Sequence, residues 1–190
     1  MFLLALTLIV TQAPPAANPW VEGARAQLGL PYDFGGRKQK GRGIDCLGVV
    51  LAGAERATGC GWRSFPWNPT ELVQARLFGE RVEGLAPVKS AALDVASLQP
   101  GDVVMLVAAD VNPREPSIGE LEGVKVWVWH TGVYSGGGKW IVGDHFAGQA
   151  VETDLAAYLA EHADTYSGVF VTRPKPKAVR PARCRKHAPL

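Results

Sequence analysis

The chain has 190 residues, 47% of them hydrophobic and 20% charged, with a formal net charge of +2. That is an ordinary globular composition, long enough for one domain with a real core, and it excludes a disordered or fibrous polymer. The small net charge conceals an asymmetry, because seven basic residues and no acidic one lie between Arg173 and Leu190.

The chain opens with an apolar block, Met1 to Val10, followed by small residues up to Ala17. The block is too short to span a bilayer but suits the core of a signal peptide, so residues 1–17 are expected to direct export to the periplasm or outside the cell. No later segment is long enough to predict a transmembrane span. Asn18-Pro19-Trp20 reads as a helix cap with proline at the first helical position, predicting a helix to about Leu28 that stops at Gly29. A loop over Leu30 to Gly36 continues into the basic run Arg37-Lys38-Gln39-Lys40. Asp45 is a good N-cap for a helix from Cys46 to about Thr58, ended by Gly59. Gly48 and Gly53 inside that helix cost stability, and they predict that another backbone approaches it closely. Asn68-Pro69-Thr70-Glu71 starts a third helix, expected to reach Phe78.

Strands follow. Val103 to Val107 reads as buried strand, Asp110 to Glu122 as an exposed loop, and Val124 to Tyr134 as strand again. Ser135-Gly136-Gly137-Gly138 is a hairpin turn returning through Lys139 to Gly143. A short strand at Ala150 to Glu152, a helix over Asp154 to His162 capped by Thr153, and a last strand over Gly168 to Thr172 complete the domain, expected over 18–172. Helices first and consecutive antiparallel strands after them predict an α+β fold. Four prolines make the tail over 173–190 a poor helix or strand former, expected to be extended. It reads as solubilising, or as attracted to an anionic polymer such as cell wall. No aromatic or helical reading element accompanies it, which argues against nucleic acid as the partner.

Cys46 at a helix start lies beside unpaired backbone N–H groups, a position that favours a thiolate and predicts a lowered thiol pKa. His130, on a strand, is the candidate base. A nucleophile, an imidazole and a polar group to orient it make a cysteine-peptidase constellation. The remaining cysteines, Cys60 and Cys184, allow two readings: a disulfide in an exported protein, or a small buried side chain at Cys60. His130, Asp144, His145 and His162 show no close metal-ligand spacing, so neither a metal nor a cofactor is expected.

Four blocks in order, Gly29-Leu30-Pro31-Tyr32-Asp33-Phe34-Gly35-Gly36, Gly43-Ile44-Asp45-Cys46-Leu47-Gly48, Leu98-Gln99-Pro100-Gly101-Asp102 and His130-Thr131-Gly132-Val133-Tyr134-Ser135-Gly136-Gly137-Gly138, resemble the NlpC/P60 family of cell-wall cysteine peptidases. The resemblance spans about residues 18 to 170. It implies a papain-like α+β fold, helices packed on an antiparallel sheet, and hydrolysis of amide bonds in peptidoglycan stem peptides, the usual bond joining D-glutamate to a diamino acid. It implies Cys46 as nucleophile, His130 as base, and Tyr32 and Asp45 as residues that hold the substrate's amine. The expected partner is therefore peptidoglycan peptide, met by a monomer. Two positions depart from the pattern. Leu47 stands where serine is usual. Val142 stands where the third catalytic residue belongs, with Asp144 and His145 just behind it. Period two puts Asp144 on the face of Val142, whereas a bulge or strand end at Gly143 would bring His145 round; His145 is preferred by residue type, with Asp144 the alternative. A catalytically silent wall-binding module of the same fold, and an acyltransferase using the same thioester, are the competing functions.

Overall fold

The computed structural model describes residues 18–37, 42–82, 88–109, 115–174 and Cys184. The expected signal peptide, and the tail beyond Pro174 apart from Cys184, lie outside the described residues. Among the described residues four α-helices and eight strands occur in the order α1 (Pro19–Arg25), α2 (Cys46–Thr58), α3 (Pro69–Gln74), β1 (Glu80–Arg81), β2 (Val88–Lys89), β3 (Val103–Ala108), β4 (Gly119–Leu121), β5 (Val124–Gly136), β6 (Lys139–Asp144), β7 (Gln149–Asp154), α4 (Leu155–Glu161) and β8 (Gly168–Arg173). The fold is α+β. Strands run in the order β1-β8-β3-β5-β6-β7, every neighbour antiparallel, with β2 on β8 and β4 on β5.

Strand alternation divides the apolar residues between two faces. Val103, Met105, Val133, Ile141 and Phe170 face one core, which α1 and α2 close with Trp20, Val21, Leu47, Val50 and Leu51. Val104, Leu106, Tyr134, Trp140, Val142 and Val171 face the other, covered by Leu155, Tyr158 and Leu159 of α4. The close approach expected at α2 is present: a Cβ on Gly53 would lie 2.7 Å from the carbonyl oxygen of Trp20 in α1.

Several boundaries differ from the sequence reading for identifiable reasons. α1 ends at Arg25, not Leu28, because the chain turns to pair with β7: Gly29 N–H donates to Ala150 O, and Ala150 N–H to Leu30 O, both at 2.9 Å. α3 ends at Gln74, not Phe78; beyond it Leu77 N–H reaches back to Leu72 O, and Leu77 and Phe78 are buried. The cap of α4 is Asp154, the last residue of β7, whose side chain accepts from Ala157 N–H at 2.8 Å; Thr153, one residue earlier, lies within the strand. The short edge strands β1, β2 and β4 carry no alternation that would reveal them in advance.

Arg173 closes β8, and its guanidinium makes two 2.8 Å bonds to the buried carboxylate of Asp102. Cys60, just past α2, is disulfide-bonded to Cys184, leaving Cys46 as the free cysteine. Among the described residues, no helix is long and apolar enough to cross a membrane.

Candidate functional site

The site begins with the cap of α2. Asp45 takes extended backbone angles and its side chain is buried. One carboxylate oxygen accepts from Gly48 N–H at 2.7 Å, closing the first turn. The other accepts from Gly35 N–H at 3.0 Å and also meets the Arg37 guanidinium in an ion pair. Arg37 sits at φ 58°, a conformation side chains seldom adopt, and it also donates to Trp67 O at 2.8 Å. Its guanidinium lies 5.5 Å from the centre of the Trp67 ring.

Cys46 follows, half-buried at the first turn of α2. Its helix-start position alone predicted a lowered pKa. Burial overrides that and pushes the thiol up, while Arg37 and the backbone amides of Thr131, Leu47 and Cys46 itself pull it down. Close packing fixes the thiol against the sheet: a Cβ on Gly143 would lie 2.7 Å from the backbone of Asp45 and 2.9 Å from Cys46 N. Leu47, the residue in the usual serine position, is buried in the core beneath α2.

His130 arrives from β5 just beyond a bulge. Leu106 pairs with His130 but Val107 pairs with Val128, so Trp129 is the extra residue; it projects outward, 45% exposed. His130 itself is buried among aromatics. Its ring stacks on Tyr166 at 5.8 Å and Tyr158 at 6.0 Å, and stands edge-on to Trp140 and His145, each at 6.0 Å. Burial, and then the charges of His145 and His162, push its pKa down to about 3, so the imidazole is neutral at neutral pH. Among the described residues Nε2 of His130 has no hydrogen-bond partner.

The two candidates for a third catalytic residue occupy different places. Asp144 is buried at the end of β6, accepts from Phe146 N–H at 2.9 Å, and its charge helps burial to raise the Tyr158 pKa. His145 is exposed on the following turn, edge-on to His130 and 5.9 Å from the Tyr32 ring. Val142 faces the second apolar core. Tyr32 is half-buried, and its pKa is pushed up to about 12, first by burial and then by the charge at Cys46.

Cys46, His130, Asp45 and Arg37 line one cavity of about 120 Å³. A more open cleft of about 430 Å³ continues past His130 to Tyr32, His145 and Tyr166. Phe34, Trp67 and Trp129 stand exposed at the rim. One cavity is thus lined by a thiol, a neutral imidazole and a helix start, the kinds of group that acyl transfer to sulfur employs. Arg37, Tyr158 and Tyr166 were missed by sequence reasoning, and His162 was weighed there only as a metal ligand. Arg37 reads as solvated loop, and nothing local signals its inward turn; aromatic residues on α4 and after it read as ordinary core.

The sequence matches no family model and no curated protein. Its backbone superposes on that of NlpC2 from Trichomonas vaginalis with a TM-score of 0.51 at 17% identity, over 85% of this chain and 48% of the other. The chain therefore spans about half the length of that relative. Looser superpositions are found with the peptidoglycan hydrolase RipB from Mycobacterium tuberculosis (TM-score 0.47, 21% identity, 84% of this chain and 68% of that one). RipD from the same organism, described as a non-catalytic NlpC/P60 domain protein adapted to peptidoglycan binding, gives a TM-score of 0.46 at 13% identity, over 81% and 93%. The fold is that of NlpC/P60 domains.

Proposed function

We propose that this chain, built on the NlpC/P60 fold, is an exported cysteine hydrolase that cleaves an amide bond in peptidoglycan stem peptides. The observation that carries the proposal is the convergence of Cys46 and His130 on one cavity at the start of α2, inside a chain whose four motif blocks resemble that family. His130 takes the thiol proton as Cys46 Sγ attacks the carbonyl carbon. The resulting oxyanion faces the backbone N–H groups at the helix start. The C–N bond then breaks, the leaving amine takes the proton from His130, and a thioester remains on Cys46. Water, deprotonated by His130, attacks the thioester; the acid leaves and the thiol is restored.

A neutral thiol and a neutral imidazole lining one cavity suit this sequence, since the proton moves during attack rather than before it. His145 is proposed to orient His130 from the cleft side, with Asp144 the alternative, and Tyr32 to contact the substrate. The bond between D-glutamate and a diamino acid is the proposed target. The Cys60–Cys184 disulfide supports export, because such bonds persist in oxidising compartments. The basic tail is proposed to add attraction to anionic wall polymer, and the protein to act as a monomer.

A second reading, a silent wall-binding module, draws on the raised thiol pKa and the unpartnered His130 Nε2. Covalent trapping separates the two. A stem-peptide chloromethyl ketone should alkylate Cys46 at least tenfold faster than a ketone on an unrelated peptide, with the adduct located by peptide mapping. Equal rates would contradict the hydrolase.

A further inference from the structure

We infer that Tyr158, from α4, positions His130 from its buried side: the phenol oxygen accepts the Nε2 hydrogen of the imidazole while the other ring nitrogen takes the thiol proton. The inference rests on the proposed hydrolase and adds to it a residue that acts through the base.

Three buried rings meet beside the cysteine. His130 lies 6.0 Å from Tyr158 and 6.0 Å from Trp140, and Trp140 lies 5.0 Å from Tyr158. Among the described residues each of the three carries a buried polar atom with no hydrogen-bond partner: His130 Nε2, Trp140 Nε1 and the Tyr158 hydroxyl. Buried polar groups are nearly always paired, and leaving one unpaired is costly. The three atoms differ in what they can do. Trp140 Nε1 only donates, and Nε2 donates whenever the other imidazole nitrogen serves as base. Of the three, the Tyr158 oxygen is then the acceptor. His145 is exposed at the cleft and makes no bond to Nε2.

The phenol is well placed for this. Trp140 and His162 both stand edge-on to it, at 5.0 and 4.4 Å. After burial, the charge of Asp144 is the largest influence on its hydroxyl. A hydroxyl hydrogen drawn toward Asp144 leaves the oxygen lone pairs for Nε2. Tyr166 also stacks on His130, at 5.8 Å, but it lines the open cleft, and after burial the charge at Cys46 acts on it ahead of Asp144. During attack His130 takes the Sγ proton and becomes an imidazolium in surroundings that disfavour one. The bond from Nε2 to the Tyr158 oxygen spreads that charge and fixes the rotation of the ring. No proton leaves the imidazole on this side, and the one received from sulfur goes to the leaving amine. Catalytic hydrogen bonds of this kind are often long in the free enzyme and close as charge develops.

The test is Tyr158→Phe in the full chain, which keeps the ring and removes the hydroxyl. Cleavage of stem peptides, followed by mass spectrometry, should show kcat and kcat/KM lowered together by about tenfold to a hundredfold, the range of one hydrogen bond to a charged group, with KM unchanged. A second readout needs no substrate. Solvent exchange of the His130 Nε2 hydrogen, followed by NMR on nitrogen-labelled histidine, should be about tenfold faster in the variant. Tyr166→Phe should change both quantities less. If Tyr158→Phe fails to fold, Asp144→Asn, which removes the charge behind the hydroxyl, should move both in the same direction, and no movement would overturn the inference. Equal exchange rates in the intact protein and Tyr158→Phe would also overturn it, as would an unchanged kcat or a larger effect of Tyr166→Phe. Cleavage of no stem peptide by the intact protein, with the exchange difference present, would sink the hydrolase and keep the assignment of Tyr158 to His130.

Discussion

Cys46 and His130 are both held uncharged at neutral pH, and that has measurable consequences. Alkylation of Cys46 by iodoacetamide, followed by mass spectrometry, should rise with pH to a midpoint above the ordinary thiol value, because burial outweighs Arg37 and the helix start. Arg37→Gln should move the midpoint higher still. A midpoint between pH 5 and 7 would mean a thiolate–imidazolium pair instead. His130 has the opposite displacement. Its folded pKa of about 3 lies below the unfolded value of about 6.5, so the unfolded chain binds the extra proton first. Its contribution to stability is complete above about pH 6.5 and is lost as pH falls toward 3. Denaturant midpoints measured across that window should decline, and His130→Phe should flatten the decline; an unchanged slope would show that His130 is not buried neutral.

The start of α2 presses on β6 at Gly143, and the thiol's position depends on that contact. Gly143→Ala should push the Asp45–Cys46 backbone away, costing about 1–3 kcal/mol in denaturant unfolding and most of the cleavage rate. Full activity in that variant would show that the contact is not needed. Much of this architecture is legible in the sequence, because the signals are local: Asp45 and Asn68 as caps, the interior glycine Gly53 at a helix crossing, the glycine turn before β6. What is not legible depends on partners far along the chain. The inward turn of Arg37 requires Asp45 and Trp67 at once, and the Trp129 bulge exists only through mispairing with β3. The orientation of His130 is hidden for the same reason, since aromatics from β6, α4 and the segment after α4 decide it. The Cys60–Cys184 bond was one of two readings, because an odd cysteine count admits a pair without requiring it.

That bond joins the end of α2 to a residue beyond the last strand, across 124 positions of sequence. Closing a loop of that size restricts the unfolded chain, worth on the order of 4–5 kcal/mol in the chain-entropy account. Cys184→Ser should therefore lower the denaturant midpoint clearly while leaving the Cys46 cavity able to react, and an unchanged midpoint would show that the bond contributes little. The fold thus holds a thiol, a neutral imidazole and a capped helix start at one end of a sheet, and chemistry follows only if that geometry reaches a substrate amide. The direct test is mass spectrometry of purified peptidoglycan stem peptides incubated with the full chain and with Cys46→Ala. New fragments split at one amide, formed by the intact protein and absent with the variant, are the predicted result. The same fragments from both proteins, or none from either across several wall chemistries with Cys46 reduced, would contradict it.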